Sequence, residues 1–272
     1  GIRDSVASRG LGDVYKRQGG ISVSSEYPEV SKDELEGILD GLKSRFRNGD
    51  YPSYKERIDR INRLKLLVEE NSDAFHKTLQ NDFGTRHEQL SLLSDTLPII
   101  ASAKHVTKNL SKWMRPEKRK PNFPLGLLGA KAFIHNQPYG VVGIISPWNF
   151  PLNLSLGPLV EVFAAGNNAM MKLSEFVPET SNLTEKLVRQ YFNDDEVAVI
   201  NGGPKTSQSF AGLAFDHLLF TGSTHVAKKI AYEASENLVP LTLELGGKSP
   251  VLSLIHISEP TRRYAISYAV FC

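Results

Sequence analysis

Cysteine is almost missing from this chain of 272 residues: Cys272, the last of them, is the only one. A disulfide within the chain is therefore excluded, and so is a zinc or iron–sulfur site built from thiolates. No apolar run reaches the roughly 18 residues that a membrane-spanning helix needs. The opening residues GIRDSVASRG lack the apolar stretch of a secretory leader, so a cytoplasmic location is the expectation. His105, His135, His217 and His225 show no HExxH spacing, and no metal site is expected. The glycine patterns GxGxxG and Walker A are absent too.

A surplus of one charge is also lacking. The net charge of +2 comes from the ends: Arg3, Arg9, Lys16 and Arg17 outnumber Asp4 and Asp13 by two. Arg262 and Arg263 outnumber Glu259 by one, which leaves −1 for residues 19–252. That body cannot offer the basic face of a nucleic-acid binder. One basic cluster, Lys112, Arg115, Lys118, Arg119 and Lys120 beside Trp113, reads as a solvated helix end and linker.

The composition is otherwise that of a globular protein, with 40% apolar and 23% charged residues. The two ends read as foreign to it. GLGDVYKRQ and SLIHISEPTRRYAISYAVFC have no periodic link to their neighbours and resemble translated adapter or vector read-through. Residues 1–18 and 253–272 are accordingly expected to be non-native tails on a C-terminally truncated protein.

In the N-terminal part, Ser31 and Glu34 suggest a capping box, followed by Leu35, Ile38, Leu39, Leu42 and Phe46 at helical spacing over 32–47. Tyr54 to Val68 predict a second helix, and Phe75, Leu79 and Phe83 a third. Leu90, Leu93, Leu97 and Ile100 would lead a long helix ending near Trp113. Residues 19–121 then form a helical layer, a packing unit with no chemistry of its own. After a connector from Pro116 to Pro124, strand and helix alternate: Val141–Ile145, 152–164, Asn168–Lys172, 179–192, Val197–Ile200, 205–212, His217–Phe220, 224–237 and Leu241–Glu244. Apolar strands separated by amphipathic helices predict an α/β fold, a parallel sheet covered on both faces, with ligands at the carboxyl ends of the strands.

Candidate site residues fall at those ends. Asn149, in Ser146-Pro147-Trp148-Asn149-Phe150-Pro151, has an uncharged amide that suits a transient oxyanion, or it merely closes a turn. Lys172 and Glu175 can together meet two ribose hydroxyls, or form a surface ion pair. Gly222 and Ser223 precede a helix whose free amides make a phosphate seat. Asn201-Gly202-Gly203 reads mainly as a structural turn. Glu244 follows two leucines and precedes Gly246 and Gly247. It is a candidate general base whose carboxyl apolar surroundings would raise, and the glycines would let the chain turn tightly.

PWNFP at 147–151, KLSE at 172–175, FTGST at 220–224 and LELGGKSP at 243–250 resemble, in order and spacing, the aldehyde dehydrogenase superfamily. The wording from Pro138 to Ser181 looks most like its coniferyl aldehyde dehydrogenase branch, close to the class 3 enzymes. The resemblance implies a Rossmann-like NAD(P)-binding domain over 141–252 and an oligomerisation arm over 122–140, with a β hairpin at 122–137. It implies Asn149 as oxyanion donor and Glu244 as general base. Lys172 and Glu175 would hold the ribose, and Gly222 and Ser223 the pyrophosphate. Ser146, Pro147, Trp148 and Gly246 count as further cofactor contacts. The implied reaction is NAD-dependent, with NADP possible. A cysteine thiolate attacks an aldehyde, hydride leaves, and water releases the acid from a thioester. A homodimer is implied for the full-length protein. The nucleophile finds no match, since Cys272 lies in YAVFC within the distrusted tail; an inactive dinucleotide-binding fragment is thus the competing expectation.

Overall fold

The computed structural model describes residues 28–49 and 51–247. The expectations for 1–18, for 253–272 and for Cys272 lie outside that span. Helix α1 (Lys32–Asn48) starts as expected, with the Ser31 hydroxyl accepting from the Glu34 amide at 3.2 Å. The reciprocal bond of a capping box forms instead at α2 (Tyr54–Glu70), where Ser53 and Glu56 each accept from the other's amide. Helix α3 (Ser72–Phe83) follows, burying Phe75 and Leu79.

The expected single helix through Leu90 is corrected. A short α4 (Glu88–Ser91) runs into a π turn (Leu92–Thr96) and then α5 (Leu97–Trp113). Leu90, Leu93 and Leu97 are 49%, 66% and 41% exposed, while Ser91, Asp95, Thr96 and Ile99 are buried. The wider i→i+5 turn re-aims the face that looks inward, and it brings a carboxylate rather than leucines into the interior.

The hairpin expected at 122–137 is corrected in its bounds. Strand β1 (Glu117–Arg119) pairs antiparallel with β2 (Ala132–Ile134), with Lys118 opposite Phe133. The hairpin thus begins inside the predicted connector, because a strand reading Glu-Lys-Arg has no apolar alternation to announce it.

The other elements match the alternation within a residue or two: β3 (Val141–Ile145), α6 (Asn153–Ala165), β4 (Asn168–Lys172), α7 (Pro178–Tyr191), β5 (Val197–Ile200), α8 (Pro204–Ala211), β6 (His217–Gly222), α9 (Thr224–Ser235) and β7 (Leu241–Leu245). The five long strands form one parallel sheet in the order β5-β4-β3-β6-β7. Its direction of growth reverses beside β3, which puts a crevice between the carboxyl ends of β3 and β6.

Alternation along the strands supplies two cores. Val142, Ile144, Ala169 and Met171 face α2, α3, α5 and α6, where Leu64, Phe75, Val106 and Phe163 are buried. Val141, Ile145, Met170 and Leu218 face α1, α8 and α9, with Leu39, Phe210 and Ile230. The N-terminal helices therefore do not form one layer: α1 covers one sheet face and α2, α3 and α5 the other. Gly166 ends α6 at φ 85°, where an added Cβ would lie 2.5 Å from the Arg57 guanidinium carbon. Arg57 sits there to donate to the Ala164 carbonyl at 3.0 Å, so this position requires glycine both for its backbone and for its space.

Candidate functional site at the strand ends

The predicted residues gather at the carboxyl edge of the sheet. Beyond β3, Ser146 is buried and its hydroxyl has no hydrogen-bond partner among the described residues. Pro147 is half-buried, and Trp148 and Asn149 are exposed. The Asn149 side-chain amide makes no hydrogen bond among the described residues. Its backbone carbonyl accepts from Arg86 at 2.6 Å.

Beyond β4, Lys172 and Glu175 do pair, with Nζ and Oε2 3.3 Å apart, but not at the surface: the lysine side chain is 1% exposed. Its ammonium also donates to the Leu173 carbonyl at 2.5 Å. Burial pushes the lysine below its ordinary range, while the charges of Glu175 and then Glu29 pull the other way. Two opposite charges are thus paired at one strand end.

At the end of β6, an added Cβ on Gly222 would meet the Phe220 ring at 2.4 Å, so that ring occupies the space a side chain would take. The Ser223 hydroxyl caps α9 by accepting from the Val226 amide at 3.3 Å. Its own proton stays available to a ligand. Glu244 lies on the last strand opposite Thr221 and is exposed, so the described residues do not form the apolar enclosure expected around it. Gly246 and Gly247 have neither a positive φ nor any neighbour within 4 Å of an added Cβ, so the tight approach expected of them is not made there.

Sequence reasoning missed a set of remote carboxylates. Helices α6, α7 and α8 have no side-chain cap from their own N-cap residue. Each receives one from the N-terminal region instead. Asp95 accepts from the Leu152 and Asn153 amides at 3.1 and 3.2 Å. Asp82 accepts from the Glu179 and Thr180 amides at 3.1 and 2.8 Å, and Glu29 from the Thr206 amide at 2.7 Å. The helical part therefore caps the crossover helices as well as packing against the sheet. It neutralises three helix N-termini, each carrying about half a positive charge. Helix α9 is the exception among the four, capped only by a neutral serine. No local signal marks these residues, since the partners lie 57 to 177 positions apart in sequence.

A groove of about 350 Å³ between α1, α7 and β5 is lined by Gly37, Gly41 and Val199; neither Asn149 nor Glu244 lines it. Among the described residues no group of three or more His, Cys, Asp or Glu side chains gathers as for a metal. No described helix is long and apolar enough to cross a membrane.

The reversed strand order and the polar residues at the strand ends define an open α/β domain of the class that takes ligands across the carboxyl edge of its sheet. Comparison with known proteins makes this specific. The aldehyde dehydrogenase family model matches residues 14–255, and the chain belongs to that family. It is 48% identical over 233 residues to a protein of Caulobacter vibrioides described as a probable coniferyl aldehyde dehydrogenase, covering 85% of this chain and 47% of that one. It is 43% identical over 223 residues to the coniferyl aldehyde dehydrogenase of a Pseudomonas species, covering 82% and 46%. A solved NAD+ complex of a Bacillus cereus aldehyde dehydrogenase superposes with a TM-score of 0.72 at 25% identity, covering 82% of this chain and 45% of that one. The chain thus spans about half the length of the relatives it matches.

Proposed function

We propose that these residues are the cofactor-holding part of an enzyme that oxidises an aldehyde to a carboxylic acid with a nicotinamide dinucleotide. The observation that carries this reading is the distribution of charge over the crossover helices. Three N-termini are closed by carboxylates, and α9, beside the β3–β6 crevice, is left open to an anion. The Ser146 hydroxyl at the end of β3, without a partner among the described residues, fits a polar ligand in that crevice. Gly222 and Ser223 would hold the pyrophosphate. Lys172 and Glu175 would hold a ribose, the carboxylate accepting from its hydroxyls. Pro147 and Trp148, from the loop after β3, and Gly246, beyond β7, would add contacts to the cofactor. The bound nicotinamide supplies the hydride acceptor.

Asn149 would donate its amide hydrogen to the oxygen of the aldehyde as negative charge develops there. Glu244 would take a proton from the water that releases the acid. The nucleophile is expected to be a cysteine thiolate outside the described residues. Likeness to coniferyl aldehyde dehydrogenases supports coniferyl or another aromatic or medium-chain aldehyde as substrate. A carboxylate at Glu175 repels a 2′-phosphate and favours NAD over NADP. The β1–β2 hairpin, with Phe123, Leu127 and Leu128 at 85%, 79% and 79% exposure, supports an oligomerisation arm and a homodimer. One observation favours a second reading for residues 1–272 taken alone: their only cysteine is Cys272, so they would bind the dinucleotide without turnover.

The test is Ser223→Asp, which gives α9 the carboxylate its neighbours have. Asp caps a helix as well as Ser, so the melting temperature should hold while NAD affinity falls at least about tenfold. Unchanged NAD affinity in a folded variant refutes the reading.

A further inference from the structure

We propose that Arg86 and Asp95 are positioning residues for the oxidation, fixing the loop that carries Asn149; this rests on the function just proposed. The two side chains are 4% and 0% exposed and joined through Arg86 Nη2 and Asp95 Oδ2 at 2.5 Å. Each holds the loop from a different end. Arg86 Nη1 donates to the Asn149 carbonyl at 2.6 Å. Asp95 Oδ1 accepts from the Leu152 and Asn153 amides. One ion pair therefore clamps residues 149 to 153 at a carbonyl and at two amides.

The guanidinium plane is fixed further. Its central carbon lies 4.6 Å from the Phe83 ring centre and 5.0 Å from that of Phe150, itself a loop residue. Arg86 Nε is buried without a partner among the described residues, so the orientation that serves Asn149 and Asp95 is kept while a third N–H goes unmet there. The loop's other hydrogen bonds run forward into its own helix: the Phe150 carbonyl accepts from the Leu154 amide at 3.0 Å and the Pro151 carbonyl from the Ser155 hydroxyl at 2.6 Å. Leu152 at the N-cap offers no polar side chain and Pro151 has no N–H, so the tie back to the N-terminal helices comes from Arg86 and Asp95.

The π turn supplies an independent sign of purpose. It carries Asp95 inward while Leu93, two residues earlier, stays 66% exposed. Such turns are rare and concentrate at functional sites. The titratable groups facing Asp95 are Arg86 and His76, and His76 in turn approaches Glu88 at 3.8 Å. Burial pushes the Asp95 carboxyl up, and Arg86 is the largest influence holding it down. An amide that must meet a developing oxyanion loses most of its effect when displaced by an ångström, and this clamp sets where that amide stands.

The experiment uses the whole enzyme, with the chain continued to the length of its relatives, and four forms: wild type, Arg86→Lys, Asn149→Ala and the double variant. Lysine keeps a counter-charge for Asp95 but cannot reach Asp95 and Asn149 together. Arg86→Lys should lower kcat about ten- to hundredfold and leave the KM for NAD within about twofold. In the Asn149→Ala background the same substitution should change kcat by less than about twofold, because it acts through a side chain already removed. Equal fold losses in both backgrounds, or an unchanged kcat in the single variant, overturn the positioning role alone. If Asn149→Ala itself leaves kcat intact, the proposed function of Asn149 falls, and this inference with it. Should Arg86→Lys fail to fold, Asp95→Asn is isosteric and neutral, and the same pattern of losses is expected of it.

Discussion

Replacing Asp82 by alanine tests whether the remote carboxylates hold the sheet's crossover helices in place. Asp82 ends α3 and is half-buried, with its oxygens on the first free amides of α7 at 3.1 and 2.8 Å. Helix α7 has no cap of its own, because Val177 stands at the N-cap position. Losing a capping side chain costs about 0.5–2 kcal/mol. The upper end, about 2 kcal/mol, corresponds to a fall in melting temperature of about 4–8 °C in a chain of this size. Thermal unfolding followed by circular dichroism reads it directly. The pH dependence sharpens the test. Burial raises the Asp82 carboxyl above its ordinary value, against the pull of the Thr180 and Glu179 hydrogen bonds. The folded state therefore binds this proton more tightly than the unfolded chain does. The stability that Asp82 contributes should then grow as pH falls from 7 through the raised folded value, and shrink as pH rises back. A melting temperature unchanged by Asp82→Ala, or a difference that narrows on acidification, would refute the reasoning.

Three further outcomes are expected. Glu196, 7% exposed, accepts from Arg60 Nε at 3.0 Å and from Arg63 Nη1 and Nη2 at 2.8 and 2.7 Å, tying α2 to the start of β5. Glu196→Gln should destabilise by about 3 kcal/mol in a denaturant titration, and a loss under about 1 kcal/mol would contradict the account. Burial alone would lift the Glu196 carboxyl, but Arg63, the Asn193 amide and Arg60 outweigh it and hold it low. Its contribution should thus be complete above the usual carboxylate range and disappear as pH falls through the depressed folded value. In the whole enzyme Glu175→Gln should narrow the preference for NAD over NADP by about tenfold in kcat/KM; a wild type that already prefers NADP would count against the assigned role. Residues 1–272 mixed with NAD and coniferyl aldehyde should produce no NADH, and steady production that stops on Cys272→Ser would make Cys272 the nucleophile.

Much of the sheet was written locally. Apolar runs such as Val141–Ile145 and Asn168–Lys172, and the helical spacing between them, are properties of neighbouring residues. The sequence determined these strands within a residue or two, and with them the places where Asn149, Lys172, Glu175, Ser223 and Glu244 stand. Tertiary structure decided what those places are worth. The reversal of strand order beside β3 depends on which edges pair, and no single segment carries that information. The π turn exposed Leu93 and buried Asp95, against the leucine pattern, because a long-range demand for a carboxylate under α6 outweighs the local apolar signal. Asp82, Asp95 and Glu29 gave no sign of their roles, since a helix N-terminus can be satisfied by any acceptor the fold brings near it. Glu244 shows the converse: the sequence predicted its strand and its position, but among the described residues it stands exposed rather than enclosed. Hydrophobic periodicity is a local property, whereas hydrogen-bond satisfaction and burial are sums over everything the chain folds against.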